Sequence, residues 1–183
     1  MTELVGPVLV VDDDPDVLHA AWLALKAETT RVETSTGSAV LETLLKADRF
    51  DVVLLDMNFA LGDQSGREGL DGLGRIQAVD PALSVVFMTA YGALSLAVEA
   101  LKRGGADFVL KPWRNDKLVA AVRAAAARTR EARRVEAAFD LDAVERAAIQ
   151  RALEHHRGNI SRAAAALGLT RAALYRRMAK HGL

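Results

Sequence analysis

The sequence predicts a doubly wound α/β domain on a five-stranded parallel sheet, followed by a small all-α domain. Three observations carry this. Over residues 1–130, five short runs rich in apolar and β-branched residues alternate with five stretches of helical periodicity, the order that builds a parallel sheet covered on both faces. Between residues 113 and 157 there is neither Gly nor Pro, so nothing interrupts helix there. Beyond residue 140 the periodicity is helical throughout, punctuated by Gly158 and Gly168.

The first strand is placed at 7–11 (PVLVV), and Asp14-Pro15 starts the first helix, 15–27. Asp offers a side-chain cap and Pro presets φ at the first helical position. A weaker strand, 30–34 (TRVET), precedes a helix at 38–47. Strands at 51–55 (DVVLL), 84–88 (SVVFM) and 106–110 (ADFVL) alternate with helices at 69–78, 93–103 and from 113 onward. The last of these continues through AAVRAAAARTREARR, so residues 131–139 form a linker of helical character between domains at 1–130 and 140–183. Leu118, Val122, Ala125, Thr129 and Ala132 follow a 4-3-4-3 spacing. That is either a coiled-coil seam or a solvated, Ala-rich linker helix. Three helices follow, at 141–156, 159–167 and 171–181, with a tight turn at 168–170. Helix, Gly-containing turn, helix is the helix-turn-helix pattern.

Composition bounds the function. Of 183 residues, 51% are apolar and 26% charged, ordinary for a globular protein. No apolar run reaches the roughly 20 residues of a membrane helix, and no secretion signal opens the chain. A cytoplasmic protein with no membrane partner is expected. There is no Cys, which excludes disulfides and Cys-ligated zinc. The net charge of zero hides an asymmetry. Residues 1–130 hold 14 Lys/Arg and 18 Asp/Glu, and residues 131–183 hold 10 and 6. Beyond His155 there are six Lys/Arg and no acid. Such a basic end suggests a nucleic-acid partner, the alternative being a merely solvated helix face.

In an open parallel sheet, ligands bind beyond the carboxyl ends of the strands. Asp12, Asp13 and Asp14 end the first strand, Asp56 the third, Thr89 the fourth and Lys111, before Pro112, the fifth. Carboxylates gathered at one rim repel, and a hard cation relieves the repulsion. Oxygen ligands of this kind suit Mg²⁺. Such a cation, with Lys111 and Thr89, can stabilise a phosphoryl group in transfer, with Asp56 as nucleophile forming an acyl phosphate.

These residues resemble the receiver domain of two-component response regulators, a flavodoxin-like fold, over residues 6–130. The resemblance implies that Asp13 and Asp56 ligate Mg²⁺ directly, Asp12 through water and Asn58 by its backbone carbonyl. It implies that Asp56 accepts phosphate from a histidine kinase, and that Thr89 and Lys111 bind the phosphoryl oxygens. Phe108 lies where the family carries a switching aromatic and, lacking a hydroxyl, reports by packing. Asp14 is left with its capping role. The stretch DMNFALGDQSGREGLDGL is longer and richer in Gly than ordinary receivers carry. With DMNF at 56–59, TAYG at 89–92 and KPW at 111–113, it resembles NtrC-like regulators. Those continue into an AAA+ ATPase domain. This chain has no phosphate-loop motif, so it reads either as a short regulator or as one from which that domain is missing. The only catalysis implied is the receiver's own phosphoryl transfer and dephosphorylation.

The last 44 residues, GNISRAAAALGLTRAALYRRMAKHGL among them, resemble the Fis-type helix-turn-helix. Ile160, Ala163, Ala164, Leu167, Leu169, Leu174 and Met178 can form its core, and Asn159 can cap the second helix. Thr170, Arg171 and Ala173 open the recognition helix and are candidates to read bases. Arg162, Arg176, Arg177 and Lys180 are candidates for phosphates. So short a unit gains by dimerising, and Leu141, Val144, Ala148, Ile149, Ala152 and Leu153 give helix 141–156 an apolar face. The expected reading is a phosphorylation-controlled, homodimeric DNA-binding regulator. The alternative is a receiver used in phosphoryl transfer or protein interaction, whose tail only dimerises.

Overall fold

β-branched residues pack well on a pleated surface, and five such runs form one parallel sheet. Its strands are β1 (Val8–Val11), β2 (Val32–Ser35), β3 (Val52–Asp56), β4 (Ser84–Ala90) and β5 (Asp107–Lys111), in the order β2-β1-β3-β4-β5. The computed structural model describes residues 4–58, 67–90 and 94–183. Phe59 of the DMNF motif, the Gly-rich stretch to residue 66, and the Tyr91-Gly92 of TAYG lie outside the described residues.

Alternation of side chains along each strand sorts the core into two layers. Val8, Val10, Val52, Leu54, Val86 and Met88 pack against α1 (Pro15–Leu25) and α5 (Asn115–Phe139). Leu9, Val11, Val53, Leu55, Val85 and Phe87 meet α2 (Leu41–Ala47), α3 (Arg67–Val79) and α4 (Leu94–Lys102) on the other face. Each fully buried Val or Leu contributes roughly 1.5–3 kcal/mol. β2 is an edge strand with half-buried side chains, which is why its sequence pattern is weak and its start slips from 30 to Val32.

The 4-3-4-3 spacing on α5 has a different use from either expected. Leu118, Val122, Ala125 and Thr129 are all buried. The three apolar ones join the α1 layer, and Thr129 Oγ1 accepts a hydrogen bond from the Ser84 N–H at 2.9 Å. The stripe that would serve a coiled coil is the stripe that packs a helix on a sheet, because both need one face in register.

By compactness the chain divides into Met1–Ala132 and Arg133–Leu183. In the second unit, α6 (Leu141–His155) starts at Asp140, whose side chain accepts from the Asp142 and Ala143 N–H groups. α7 (Ile160–Ala166) starts at Asn159, capped as expected. α8 (Arg171–His181) follows a turn in which Gly168 holds φ +67°, a left-handed conformation that a Cβ disfavours. Ile149, Ala152, Ala163, Ala164 and Leu174 are the buried core, with Leu153, Ile160, Leu167, Leu169 and Met178 around it. No described helix is long and apolar enough to cross a membrane.

Candidate functional site

Strand register builds the site. β1 pairs with β3 so that Val11 faces Leu55, and one residue further on Asp12 meets Asp56. β3 pairs with β4 so that Asp56 faces Met88, which puts Thr89 one step beyond. β4 pairs with β5 so that Ala90 faces Lys111. The order of connection reverses between β1 and β3, the place where an open α/β sheet leaves a crevice. The Lys111–Pro112 peptide is cis.

Lys111 Nζ lies 2.7 Å from Asp56 Oδ1 and 2.6 Å from Asp12 Oδ2. Asp12 Oδ1 accepts from the Asp14 N–H, and Asp56 Oδ2 from the Asn58 N–H, each at 3.1 Å. Asp12, Asp56 and Thr89 are buried, and Asp13 is exposed at the rim. Burial pushes the Asp12 and Asp56 carboxyls above their ordinary value, although Lys111 pulls both down. Burial also disfavours the Lys111 ammonium, but its contacts with the two carboxylates win and hold its pKa above the ordinary value. Three carboxylates against one ammonium leave the site short of positive charge.

One oxygen from each of Asp12, Asp13 and Asp56 lies within 4.8 Å of the others. Asp12 Oδ2 is buried, and among the described residues Lys111 is its partner. An all-oxygen cluster with excess negative charge fits a hard divalent cation. Asp14 caps α1 through the Asp16 N–H at 2.8 Å. Phe108 is half-buried on β5 and packs against the α2–α4 layer. Gly69 was not among the expected site residues. A Cβ there would come within 2.8 Å of the Met57 backbone, so its absence lets α3 sit directly beside the residue after Asp56.

In the second unit, Arg162 on α7 and Arg171, Ala172, Tyr175, Arg176 and Ala179 on α8 are exposed, and Ala173 is half-buried. The Thr170 hydroxyl accepts from the Ala173 N–H at 3.2 Å, so its side chain caps α8. Arg177 and Lys180 turn toward α6, where Arg177 pairs with Glu145 and Lys180 with Asp142. Sequence spacing on α8 alone gave no sign of that inward pairing, since the partners lie on another helix. Phe139 and Leu141 stand 80% and 83% exposed, with Val135 and Val144 also at the surface.

The response regulator receiver domain family matches residues 8–123, and the Fis family of bacterial regulatory proteins matches residues 140–181. The alginate biosynthesis transcriptional regulatory protein AlgB of Pseudomonas putida is 36% identical over 135 residues, covering 74% of this chain and 28% of that protein. The response regulator protein PilR of Pseudomonas aeruginosa is 34% identical over 157 residues, covering 86% of this chain and 34% of its own length. The chain thus spans about a third or less of these relatives. The N-terminal signal receiver domain of a two-component system response regulator from Bacteroides fragilis superposes with a TM-score of 0.61 at 41% identity, covering 67% of this chain and 97% of that one.

Proposed function

Since this chain belongs to the response regulators, joining a receiver domain to a Fis-family helix-turn-helix, we propose that phosphorylation of Asp56 by a sensor histidine kinase controls how its C-terminal helices bind double-stranded DNA. The observation that carries the reading is Lys111 held between the buried carboxylates of Asp12 and Asp56.

Asp56 is the nucleophile. A carboxylate oxygen attacks the phosphorus of a phosphohistidine, and an aspartyl phosphate forms as the P–N bond breaks. The bond's electron pair stays on the imidazole, which leaves neutral with its other nitrogen protonated. Lys111 Nζ, 2.7 Å from Asp56, can follow the charge onto the phosphoryl oxygens. Thr89, buried one residue beyond the Asp56 pairing on β4, supplies a hydroxyl to the same group. Asp12, Asp13, Asp56 and the Asn58 carbonyl would hold Mg²⁺, which supplies charge neutralisation to the transferring phosphoryl group. A shift of Thr89 toward a phosphoryl oxygen, with repacking of Phe108, is the bistable element such a switch needs. Apart from its own phosphoryl transfer and dephosphorylation, the chain is no enzyme.

In the C-terminal unit, α8 is the recognition helix. Arg171 at its start is placed to read a base edge, with Ala173 beside it. Arg162 and Arg176 anchor on phosphates, whereas Arg177 and Lys180, also expected there, are paired with acids on α6. Phe139, Leu141 and Val144 are exposed apolar side chains that a partner could cover. A second copy covering them gives a homodimer suited to a two-fold DNA site.

The test has two arms. A small phosphodonor with Mg²⁺ should add one phosphoryl mass to the chain and none to Asp56→Asn. The phosphorylated chain should bind a selected duplex with an affinity that falls steeply with salt. An unchanged mass gain in Asp56→Asn defeats the first assignment. Salt-independent or absent DNA binding defeats the second and favours a tail that only dimerises.

A further inference from the structure

The basic side chains of α8 fall into two groups. All four Arg and Lys side chains of α8 are exposed, and Arg171 and Arg176 stand beside Ala172, Tyr175 and Ala179. Arg177, Lys180 and His181 all reach back to one place on α6. Arg177 pairs with Glu145, His181 Nε2 lies 2.9 Å from Glu145 Oε2, and Lys180 bridges Asp142 and, at 3.7 Å, Glu145. Residues 177, 180 and 181 are spaced i, i+3, i+4, so they share one flank of the helix.

The apolar hold on α8 is thin. Leu174 is its only buried side chain among the described residues, with Met178 half-buried beside it. Two apolar contacts one turn apart set which face of the helix turns inward, but so narrow a stripe resists small rotations about the long axis only weakly. The Glu145 grip acts off that axis, on the flank, where it resists rotation. Glu145 and His181 keep only 22% and 7% of their side-chain surface. A lone solvated pair adds little. A carboxylate shared by several partners with restricted water adds more, because each partner fixes the place of the others. The hydrogen bond with His181, followed by the Arg177 charge, holds the Glu145 carboxyl below the usual range.

We infer that Glu145 is a positioning residue for DNA reading: it sets the rotation of α8 that presents Arg171 and its neighbours to base edges, while withdrawing Arg177 from phosphates. This rests on the reading of α8 as a recognition helix. It has an unusual consequence. Loss of Glu145 should damage sequence preference while freeing Arg177, a cation that strengthens non-specific binding. A residue that merely supports the fold cannot do both.

The experiment uses the full chain and its Glu145→Gln and Asp142→Asn variants, each titrated against a selected duplex and a scrambled one at several salt concentrations. Glu145→Gln should lower the preference for the selected site about tenfold, the loss expected when one bidentate base contact is misaligned. Its affinity for scrambled DNA should hold or rise, and its salt slope should steepen by about one as Arg177 becomes available. Asp142→Asn frees Lys180 alone and should steepen the slope with preference intact. If Glu145→Gln melts the unit, Glu145→Asp keeps the charge on a shorter arm and should show the same loss of preference to a smaller degree. Equal loss on both DNAs from a folded variant overturns the inference, as does unchanged preference. A wild-type chain that binds neither DNA overturns the recognition-helix reading and this inference with it.

Discussion

Asp12 and Asp56 are buried carboxylates at the ends of neighbouring strands, sharing one cation. Glu145 is a half-buried carboxylate between two helices, shared by three basic groups. In the N-terminal unit, two layers of core residues hold the sheet and its register, so the backbone decides where the charges stand even when they repel. In the C-terminal unit five buried residues form the core, and charges contribute to placing the helices. A large core can carry an unfavourable site, whereas a small one recruits its surface charges as structure.

Leu174→Ala tests the contrast most severely. Burying less of that side chain and leaving a void costs about 3 kcal/mol, a large share of what a five-residue core can supply. The helicity of α6–α8 should be lost at temperatures where the receiver remains folded, and Asp56 should still take up phosphate. The same truncation at Leu54 costs a similar amount, but from a unit with two layers to draw on. Circular dichroism melts of the two variants, read against phosphoryl uptake, separate the units. A single cooperative loss of both in Leu174→Ala would show that the two cores are not independent.

Lys111→Met asks how much of the receiver's stability its site consumes. The variant leaves two buried carboxylates without their cation, at a cost of about 2–4 kcal/mol near neutral pH. The sign with pH follows from the carboxyls. Asp12 and Asp56 already have raised folded pKa values, so folding favours their protonated forms, and their ionisation lowers stability as pH rises above the unfolded value of about 4. Lys111, whose pKa is raised, gives its full contribution below its unfolded value and loses it only in strong alkali. The deficit of Lys111→Met relative to wild type should therefore be largest at pH 7 and shrink toward pH 4. Urea unfolding at both values measures it, and a deficit independent of pH would mean that the lysine acts by packing alone.

The legibility of the two units differs for the same reason. Sheet register converts position in the sequence into position in space, so Asp12, Asp56, Thr89 and Lys111 can be assembled from strand ends in the sequence alone. Capping was equally readable at Asp14 and Asn159, because a cap and its target lie within three residues. Three things were not readable. The stripe on α5 has the same spacing whether it meets a helix or a sheet. The close approach at Gly69 depends on how α3 packs over β3. The turning of Arg177 and Lys180 toward α6 depends on acids 32 and 38 residues away, on another helix.

Arg171→Ala and Arg176→Ala sharpen the division on α8. Arg171, at the helix start, should lose roughly 2 kcal/mol of discrimination between selected and scrambled sites. Arg176→Ala should weaken both DNAs alike and lower the salt slope by about one. Titrations of the pair on both duplexes decide it. Equal behaviour of the two variants would show that the exposed face of α8 reads no bases through Arg171.

Thr170 carries the smallest expected effect and the finest discrimination. It was expected to read a base, yet its hydroxyl accepts from the Ala173 N–H and caps α8. Thr170→Ala removes the cap and should lower the stability of the C-terminal unit by about 1 kcal/mol. Thr170→Asp keeps a capping oxygen and adds a negative charge at the positive end of the helix dipole, so it should match or exceed the wild-type melt. The two substitutions then part on DNA. If the residue serves only as a cap, Thr170→Ala retains sequence preference at temperatures well below its melt, and Thr170→Asp binds every sequence more weakly, because its charge faces phosphates. If Thr170 also reads a base, Thr170→Ala loses preference even where the unit is fully folded. Asp14 gives the control within the same chain: its cap on α1 has the same chemistry, and Asp14→Ala should cost a similar amount in the receiver while leaving the DNA preference untouched.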